Sequence, residues 1–395
     1  MTELRRVDLL PPYAFAEVDR LKLELRRSGE DVVDLGFGNP DIASPAPAVE
    51  KLAEAAHDRR NHRYSVSRGL PNLRRAICEL YRHRYDVELD PETEAVATIG
   101  AKEGLSHLLW VLLQPGDVAL VPDPSYPIHR FAPLLAGAEV ADFQLDDELL
   151  PAVEEAWRRS RPRPRVLIVS FPHNPTTTVA SPRLMQGLVD FARERELVIV
   201  HDFAYADIAF DGHEPPSLLQ AEGAKEVAVE LYSLTKGFSM AGWRVGSALG
   251  NARILAALAR LKSYLDYGTF QPIQIAAIVA LTEARHYPHQ VRDIYRARRD
   301  ALCRGLARAG WVVEPPRGTM FVWAPIPEPY RRQGSQAFAR RLLQEARVCV
   351  SPGVGFGPSG EGHVRFALVE NEHRLRQAAR GIRAALPELR RVTAA

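Results

Sequence analysis

Along the middle of the chain, short uninterrupted apolar runs alternate with longer stretches whose apolar positions recur every three or four residues. The runs Ala95–Ile99, Val118–Val121, Val166–Val169, Leu197–Val200 and Val227–Val229 are rich in β-branched residues and lack polar alternation. Such runs predict strands buried on both faces. Between them, Gly104–Leu113 and Leu184–Glu196 carry a helical repeat. This alternation predicts β-α-β units around a mainly parallel sheet in an α/β fold, with ligand-binding loops at the strand ends.

From about Asn251 to Leu281 the pattern turns helical, and an arginine-rich helix is predicted from about Pro288 to Ala309. We read this as the crossing into a second, smaller α/β domain. Its predicted strands are Trp311–Val313, Thr319–Trp323, Val348–Val350 and Val364–Ala367, and residues before about Ala43 are expected to join it in space. The expected division is 1–45 for an N-terminal arm and part of the smaller domain, 46–285 for the large domain and 286–395 for the C-terminal smaller domain. The proline-rich stretches Arg161–Arg165 and Pro325–Pro329 read as stiff turns.

Composition narrows the function. A chain of 395 residues is long enough to bury a sizeable core in two domains. Its formal charge of +2 gives no strong field for nucleic acid or an anionic membrane, so neither is expected as a partner. No apolar run approaches a membrane span, and Met1–Leu10 lacks a signal-type apolar core, which makes a cytoplasmic location the expectation. Cys78, Cys303 and Cys349 are odd in number and far apart, and read as buried thiols rather than a disulfide or zinc framework. Lysine occurs only at Lys22, Lys51, Lys102, Lys225, Lys236 and Lys262, so any lysine chemistry has a short list of candidates. Arginine, always charged, cannot replace it.

Lys236 stands out because it follows a predicted strand, precedes a glycine and has Ser233, Thr235 and Arg244 around it. Burial there favours the neutral amine that bonds to a carbonyl, while the hydroxyls and the guanidinium suit a phosphate; a surface lysine in a glycine-rich turn reads equally well. Asp202 lies just beyond the run Leu197–Val200, where a carboxylate can keep a pyridine nitrogen protonated or simply cap a helix. Tyr205 can reach that ring's phenolic oxygen or pack in the core. His201 reads as packing or ring stacking, with no second metal ligand at a recognisable spacing.

Thr98–Gly104 joins strand to helix through small residues whose backbone N–H groups, at Ala101 and Lys102, can hold a phosphate; an ordinary strand-helix turn is the alternative. Tyr126 can stack on a planar ring, and Asn174 in Phe171–Pro175 can donate to a ring oxygen; turn packing accounts for each as well. Gly355–Gly360 matches GxGxxG but opens no β-α-β unit, and reads as a loop; HExxH and GxSxG are absent.

Taken in order, Gly38–Asp41, Tyr64, Gly100–Glu103, Tyr126, Asn174–Pro175, Asp202 with Tyr205, Ser233 with Lys236, Arg244 and Arg365 resemble the class I aminotransferases of the fold type I pyridoxal-phosphate group. The resemblance runs from about Val33 to Arg383. It implies a large domain, 46–285, that binds pyridoxal 5′-phosphate on a mainly parallel seven-stranded sheet, plus a smaller α/β domain. It implies that Lys236 is the Schiff-base lysine and proton shuttle, that Asp202 pairs with the pyridine nitrogen, and that Asn174 and Tyr205 contact the phenolic oxygen. By the same resemblance Tyr126 would stack on the ring. Ala101, Lys102, Ser233 and Arg244 would hold the phosphate, with Tyr64 contributed by the neighbouring subunit of an expected homodimer. By that resemblance Arg365, helped by Asn174 and the Gly38 backbone, would grip the substrate α-carboxylate. No metal is implied.

Within that group, Tyr64–Gly69, Pro124–His129, Asp202–Asp207, Ser263–Thr269, Val348–Gly353 and Arg365–Asn371 are most similar to bacterial glutamate-pyruvate aminotransferases. That implies ping-pong transfer of an amino group from an L-amino acid, with alanine favoured, to a 2-oxo acid, with 2-oxoglutarate favoured. Aromatic or branched amino acids, diaminopimelate, a specialised-metabolism substrate and β-lyase chemistry on the same scaffold are the alternatives. A regulator built on this fold would need an added DNA-binding domain, for which no room is expected before the first core segment. Two departures bear on the pocket: Thr176–Thr178 stands where relatives usually have a glycine after Asn-Pro-Thr, and Thr235 replaces the usual serine before the lysine.

Overall fold

A computed structural model of the chain describes residues 8–11, 15–145 and 149–389. After β1 (Val33–Asp34), seven strands form one sheet: β2 (Ala95–Thr98), β3 (Val118–Asp123), β4 (Glu139–Gln144), β5 (Val166–Val169), β6 (Val198–Asp202), β7 (Ala228–Ser233) and β8 (Gly246–Gly250). Their spatial order is β2-β8-β7-β6-β5-β3-β4, and β8 alone runs against its neighbours. The sheet is therefore mainly parallel, as the sequence predicts.

Alternation along each strand feeds two cores. Leu167 and Ile199 enter one apolar cluster while their neighbours Ile168 and Val200 enter another on the opposite face. That double burial is why these strands read as unbroken apolar runs. Two strands escaped the sequence reading. β4 is an edge strand, only partly buried and half polar, and β8 is built mostly of small residues between glycines.

The helical stretch after Asn251 is two helices, Ala252–Leu265 and Gln271–Thr282, broken where Asp266 Oδ1 accepts the Gly268 amide at 2.7 Å. The second packs on Ala46–His57 and Pro71–Tyr85. The arginine-rich helix is Tyr287–Arg308, and it belongs to a separate apolar core with Val33, Leu35, Trp311, Phe338, Val348 and Phe366.

This smaller domain contains β9 (Phe321–Pro325), β10 (Val348–Cys349), β11 (Ser351–Pro352) and β12 (His363–Ala367). β11, β12 and β9 form an antiparallel sheet, and β1 pairs in parallel with β10 through Val33 and Val348. The predicted strand Trp311–Val313 is not one. Trp311 is buried by edge contacts with Phe338 and Phe366 and donates Nε1–H to the Pro325 carbonyl at 2.9 Å, while Val312 is 74% exposed. Side-chain packing, not a ladder, orders that segment. The three cysteines are free and buried, and among the described residues no helix is long and apolar enough to cross a membrane.

Candidate active site

Because β2 and β7 each run antiparallel to β8, β2 points the same way as β7, β6, β5 and β3. Five strand C-termini thus meet at one edge and deliver Gly100–Lys102, Asp123–Tyr126, Ser170–Asn174, Asp202–Tyr205 and Ser233–Lys236 to the same place. β8 runs the other way, so the residues before it, including Arg244, arrive at that edge too. A cavity of about 470 Å³ opens there, within the usual range for small-ligand sites. Every candidate site residue lines it except Tyr64.

Lys236 sits on a one-turn helix, Leu234–Gly237, started by Ser233, whose Oγ accepts the Thr235 amide at 3.2 Å. Its Nζ donates to the Gly38 carbonyl at 2.7 Å and lies 5.9 Å from the Tyr205 ring centre. Burial, with the nearby cations of Arg365 and Arg244, lowers its pKa to about 7. Gly38 can bring its carbonyl that close because it has no side chain: a Cβ there would stand 2.7 Å from the Phe321 ring.

Asp202, at the end of β6, accepts the Ala204 amide at 3.2 Å through Oδ1, and its Oδ2 lies 2.9 Å from Nε2 of the fully buried His129. Tyr205 is buried, which pushes its phenol well above the ordinary range. Tyr126 starts the helix Pro127–Ala136 on the cavity wall, with Lys102 Nζ 5.4 Å from its ring centre. Arg365, on β12 opposite Ser351 and Trp323, donates Nη1–H to Asn174 Oδ1 at 2.7 Å and Nη2–H to the Gly36 carbonyl at 3.2 Å. Its guanidinium lies between the rings of Phe321 and Phe356, at 4.0 and 4.5 Å.

Tyr64 lies elsewhere. It is 84% exposed and packs on Tyr267 at 4.5 Å, on a face that also exposes Tyr264, Leu265 and Phe270. His201 faces away from the cavity side of its strand, with Nδ1 2.7 Å from Glu230 and Nε2 accepting the Phe171 amide at 3.2 Å. The Thr176–Thr178 departure forms a closed unit in which Thr176 Oγ1 lies 2.8 Å from both His173 Nδ1 and Thr178 Oγ1. Thr177 adopts a left-handed φ of 64°.

The family model for aminotransferase class I and II matches residues 30–382. The chain belongs to the class I and II aminotransferases. The glutamate-pyruvate aminotransferase AlaC of Escherichia coli (strain K12) is 51% identical over 381 residues, which are 96% of this chain and 92% of that protein. An LL-diaminopimelate aminotransferase of Moorella thermoacetica is 41% identical over 388 residues, covering 98% of this chain and 99% of that one. A Thermus thermophilus aspartate aminotransferase double mutant has a solved structure that superposes with a TM-score of 0.90 at 31% identity, covering 98% and 100% of the two chains.

Aminotransferases of this family depend on pyridoxal phosphate, and the residues present fit it. An anion needs donors and space. The helix Ala101–Leu112 begins at Gly100, φ 76°, where a Cβ would overlap the Arg244 guanidinium, so glycine keeps the gap between that cation and the helix start open. A buried carboxylate, a tyrosine on the cavity wall and a lysine of lowered pKa complete a set of side chains suited to a phosphorylated pyridine aldehyde. Sequence reasoning missed His129, Phe356 and Ser351 as site residues of the aminotransferase. Their partners in the folded chain give them meaning: Asp202, 73 residues away, for His129, and Arg365 for Phe356 and Ser351.

Proposed function

We propose that this aminotransferase moves the amino group of L-alanine to 2-oxoglutarate in a ping-pong cycle. The observation that carries the chemistry is the convergence, in one cavity, of a lysine with its pKa lowered to about 7, a buried carboxylate and a forked arginine. The 51% identity to the glutamate-pyruvate enzyme supports the substrate pair.

Pyridoxal phosphate, when bound, supplies a carbonyl that an amine attacks and a ring that withdraws electrons. Lys236 would hold it covalently and, once displaced by the substrate amine, take the proton from the substrate Cα and move it on as general base then acid. Asp202 would keep the ring nitrogen protonated. Asn174, whose Oδ1 accepts from Arg365, has its amide nitrogen to donate to the phenolic oxygen, with Tyr205 beside it. Tyr126 would stack on the ring. Ala101 and Lys102 amides, the Ser233 hydroxyl and Arg244 would take the phosphate. Arg365 would fork onto the substrate carboxylate, assisted by Asn174 and the Gly38 backbone.

The exposed aromatic face around Tyr64 suits a second copy of the chain, from which Tyr64 would reach the neighbouring site. Domain boundaries after residues 45 and 285 and a cytoplasmic location belong to the same reading, the former supported by β1 pairing with β10.

The test mixes purified protein and pyridoxal phosphate with L-alanine and 2-oxoglutarate, with Lys236→Ala as control. Equal yields of pyruvate and glutamate, lost in the variant, are expected. The Moorella relative favours one second reading: if LL-diaminopimelate replaces alanine as the effective donor, the chemistry stands and the alanine assignment falls. Ammonia release without glutamate would indicate lyase chemistry, and no bound cofactor would overturn the whole reading.

A further inference from the structure

The stretch matching GxGxxG is tied into both domains. Its turns Gly353–Phe356 and Pro358–Gly360 are so closely apposed that a Cβ on either Gly353 or Gly360 would overlap the other's carbonyl oxygen. Within the smaller domain, Val354 donates its amide to Ser335 Oγ at 3.2 Å. Across the cleft the loop reaches the end of β3: the Ser125 amide donates to the Phe356 carbonyl at 2.8 Å, and the Ser359 amide donates to Asp123 Oδ2 at 3.1 Å. Gly357, φ 130°, comes so near that a Cβ would overlap Asp123 Oδ1.

Between these ties lies Phe356, buried, with its ring 4.5 Å from the Arg365 guanidinium and 5.4 and 5.9 Å from the rings of Phe15 and Trp323. Phe321 covers the other side of that guanidinium.

We propose that Asp123 is a positioning residue for Arg365. By holding the Ser359 amide and admitting only glycine at 357, it fixes Phe356 against one side of the guanidinium, so that the fork is pre-aimed at a substrate carboxylate. The inference rests on Arg365 as the carboxylate-binding group. A long side chain held between two rings loses little further freedom on binding. With the tie cut, Phe356 shifts and Arg365 regains rotamers, which weakens the hold on the carboxylate in ground and transition states alike; KM rises and kcat does not fall.

The test measures KM and kcat for L-alanine and 2-oxoglutarate on the holoenzyme. It also measures the calorimetric Kd for 2-oxoglutarate without amino donor, for Asp123→Ala, Asp123→Asn, Gly357→Ala and Arg365→Leu. Asp123→Ala and Gly357→Ala are each expected to raise KM and Kd about tenfold, the equivalent of roughly one well-made hydrogen bond, with kcat within about twofold. Asp123→Asn keeps an acceptor for Ser359 and is expected to rescue both. If Arg365→Leu weakens binding and neither Asp123→Ala nor Gly357→Ala does, the positioning role falls and the Arg365 reading stands. If Arg365→Leu leaves KM and Kd unchanged, that reading fails and takes the inference with it. A fall in kcat that Asp123→Asn does not rescue also overturns it. Should Asp123→Ala not fold, Gly357→Ala decides by the same criteria.

Discussion

His129 Nε2 lies 2.9 Å from Asp202 Oδ2, a pair made across 73 residues of chain with the histidine fully buried. The helix Pro127–Ala136 brings the imidazole to the carboxylate from the end of β3, while β6 brings Asp202. Among the described residues its Nδ1 has no hydrogen-bond partner, so Asp202 is its polar anchor. If Asp202 pairs with the cofactor's ring nitrogen, the histidine holds that carboxylate at the angle required. His129→Phe preserves bulk and removes the bond. It is expected to lower kcat about tenfold while the cofactor stays bound. A kcat unchanged beside an intact cofactor absorbance would show that Asp202 needs no such support.

The lowered Lys236 pKa sets a pH dependence whose sign follows directly. Above about 7 the amine is neutral, so uptake of pyridoxal phosphate by cofactor-free protein should rise with pH through about 7 and then level off. Removing a neighbouring cation with Arg365→Leu should move that midpoint upward. Stability follows the same proton. From about 7 to the ordinary value of 10.5, the unfolded chain holds a proton that the native site lacks, so cofactor-free protein should gain stability with rising pH over that window. Below it both states are charged and the cost of burial is fully present. Lys236→Met, compared by thermal unfolding across pH, should lose this part of the slope; an identical slope would contradict the shift.

How much of this could be read from sequence depended on whether an element is decided locally. The runs Val118–Val121 and Val166–Val169 announce themselves because both faces of those strands are buried. β8 sits equally deep, but small residues between glycines give it no apolar signature. The candidate site residues drawn from that resemblance line the cavity, except Tyr64, which the single chain leaves on an exposed face. Lys236 and Asp202 were legible as strand-end residues of the right chemistry. His129 and Asp123 were not, since each matters through a partner more than seventy residues away, and Phe356 was not, since it sits in a loop whose packing on the Arg365 guanidinium nine residues on has no sequence signature.

Gly237, next to Lys236, is fixed by crowding rather than by φ. A Cβ there would overlap the carboxylate of Asp207, which is buried and held by Arg84 and by the Tyr232 hydroxyl at 2.9 Å. The carboxylate cannot yield without breaking those bonds. Gly237→Ala is therefore expected to cost about 2–3 kcal/mol in denaturant unfolding and to reduce the lysine-bound cofactor. Gly242→Ala, where a Cβ meets nothing within 4 Å, serves as the neutral comparison. Equal stability of the two variants would refute the crowding argument.

Thr177 carries the opposite kind of constraint. Its φ of 64° puts a β-branched residue in the left-handed region, where L residues are penalised by about 1–2 kcal/mol. The turn is enforced by its surroundings: the Thr177 amide donates to the His173 carbonyl at 2.9 Å, and the His173 amide donates to the Thr178 carbonyl at 2.8 Å. Burial keeps His173 neutral, its pKa well below the usual value, so its Nδ1 contact with Thr176 persists across the working pH range. Thr177→Gly would remove the backbone penalty at an entropic cost of about 0.5–1 kcal/mol, leaving a net gain of roughly 0.5–1 kcal/mol. The measurement is a urea midpoint shifted upward with an unchanged slope. Because the hydrogen bonds that orient Asn174 do not involve the Thr177 side chain, kcat/KM should stay within about threefold. A lower midpoint would mean that the threonine side chain stabilises the loop by more than its backbone costs.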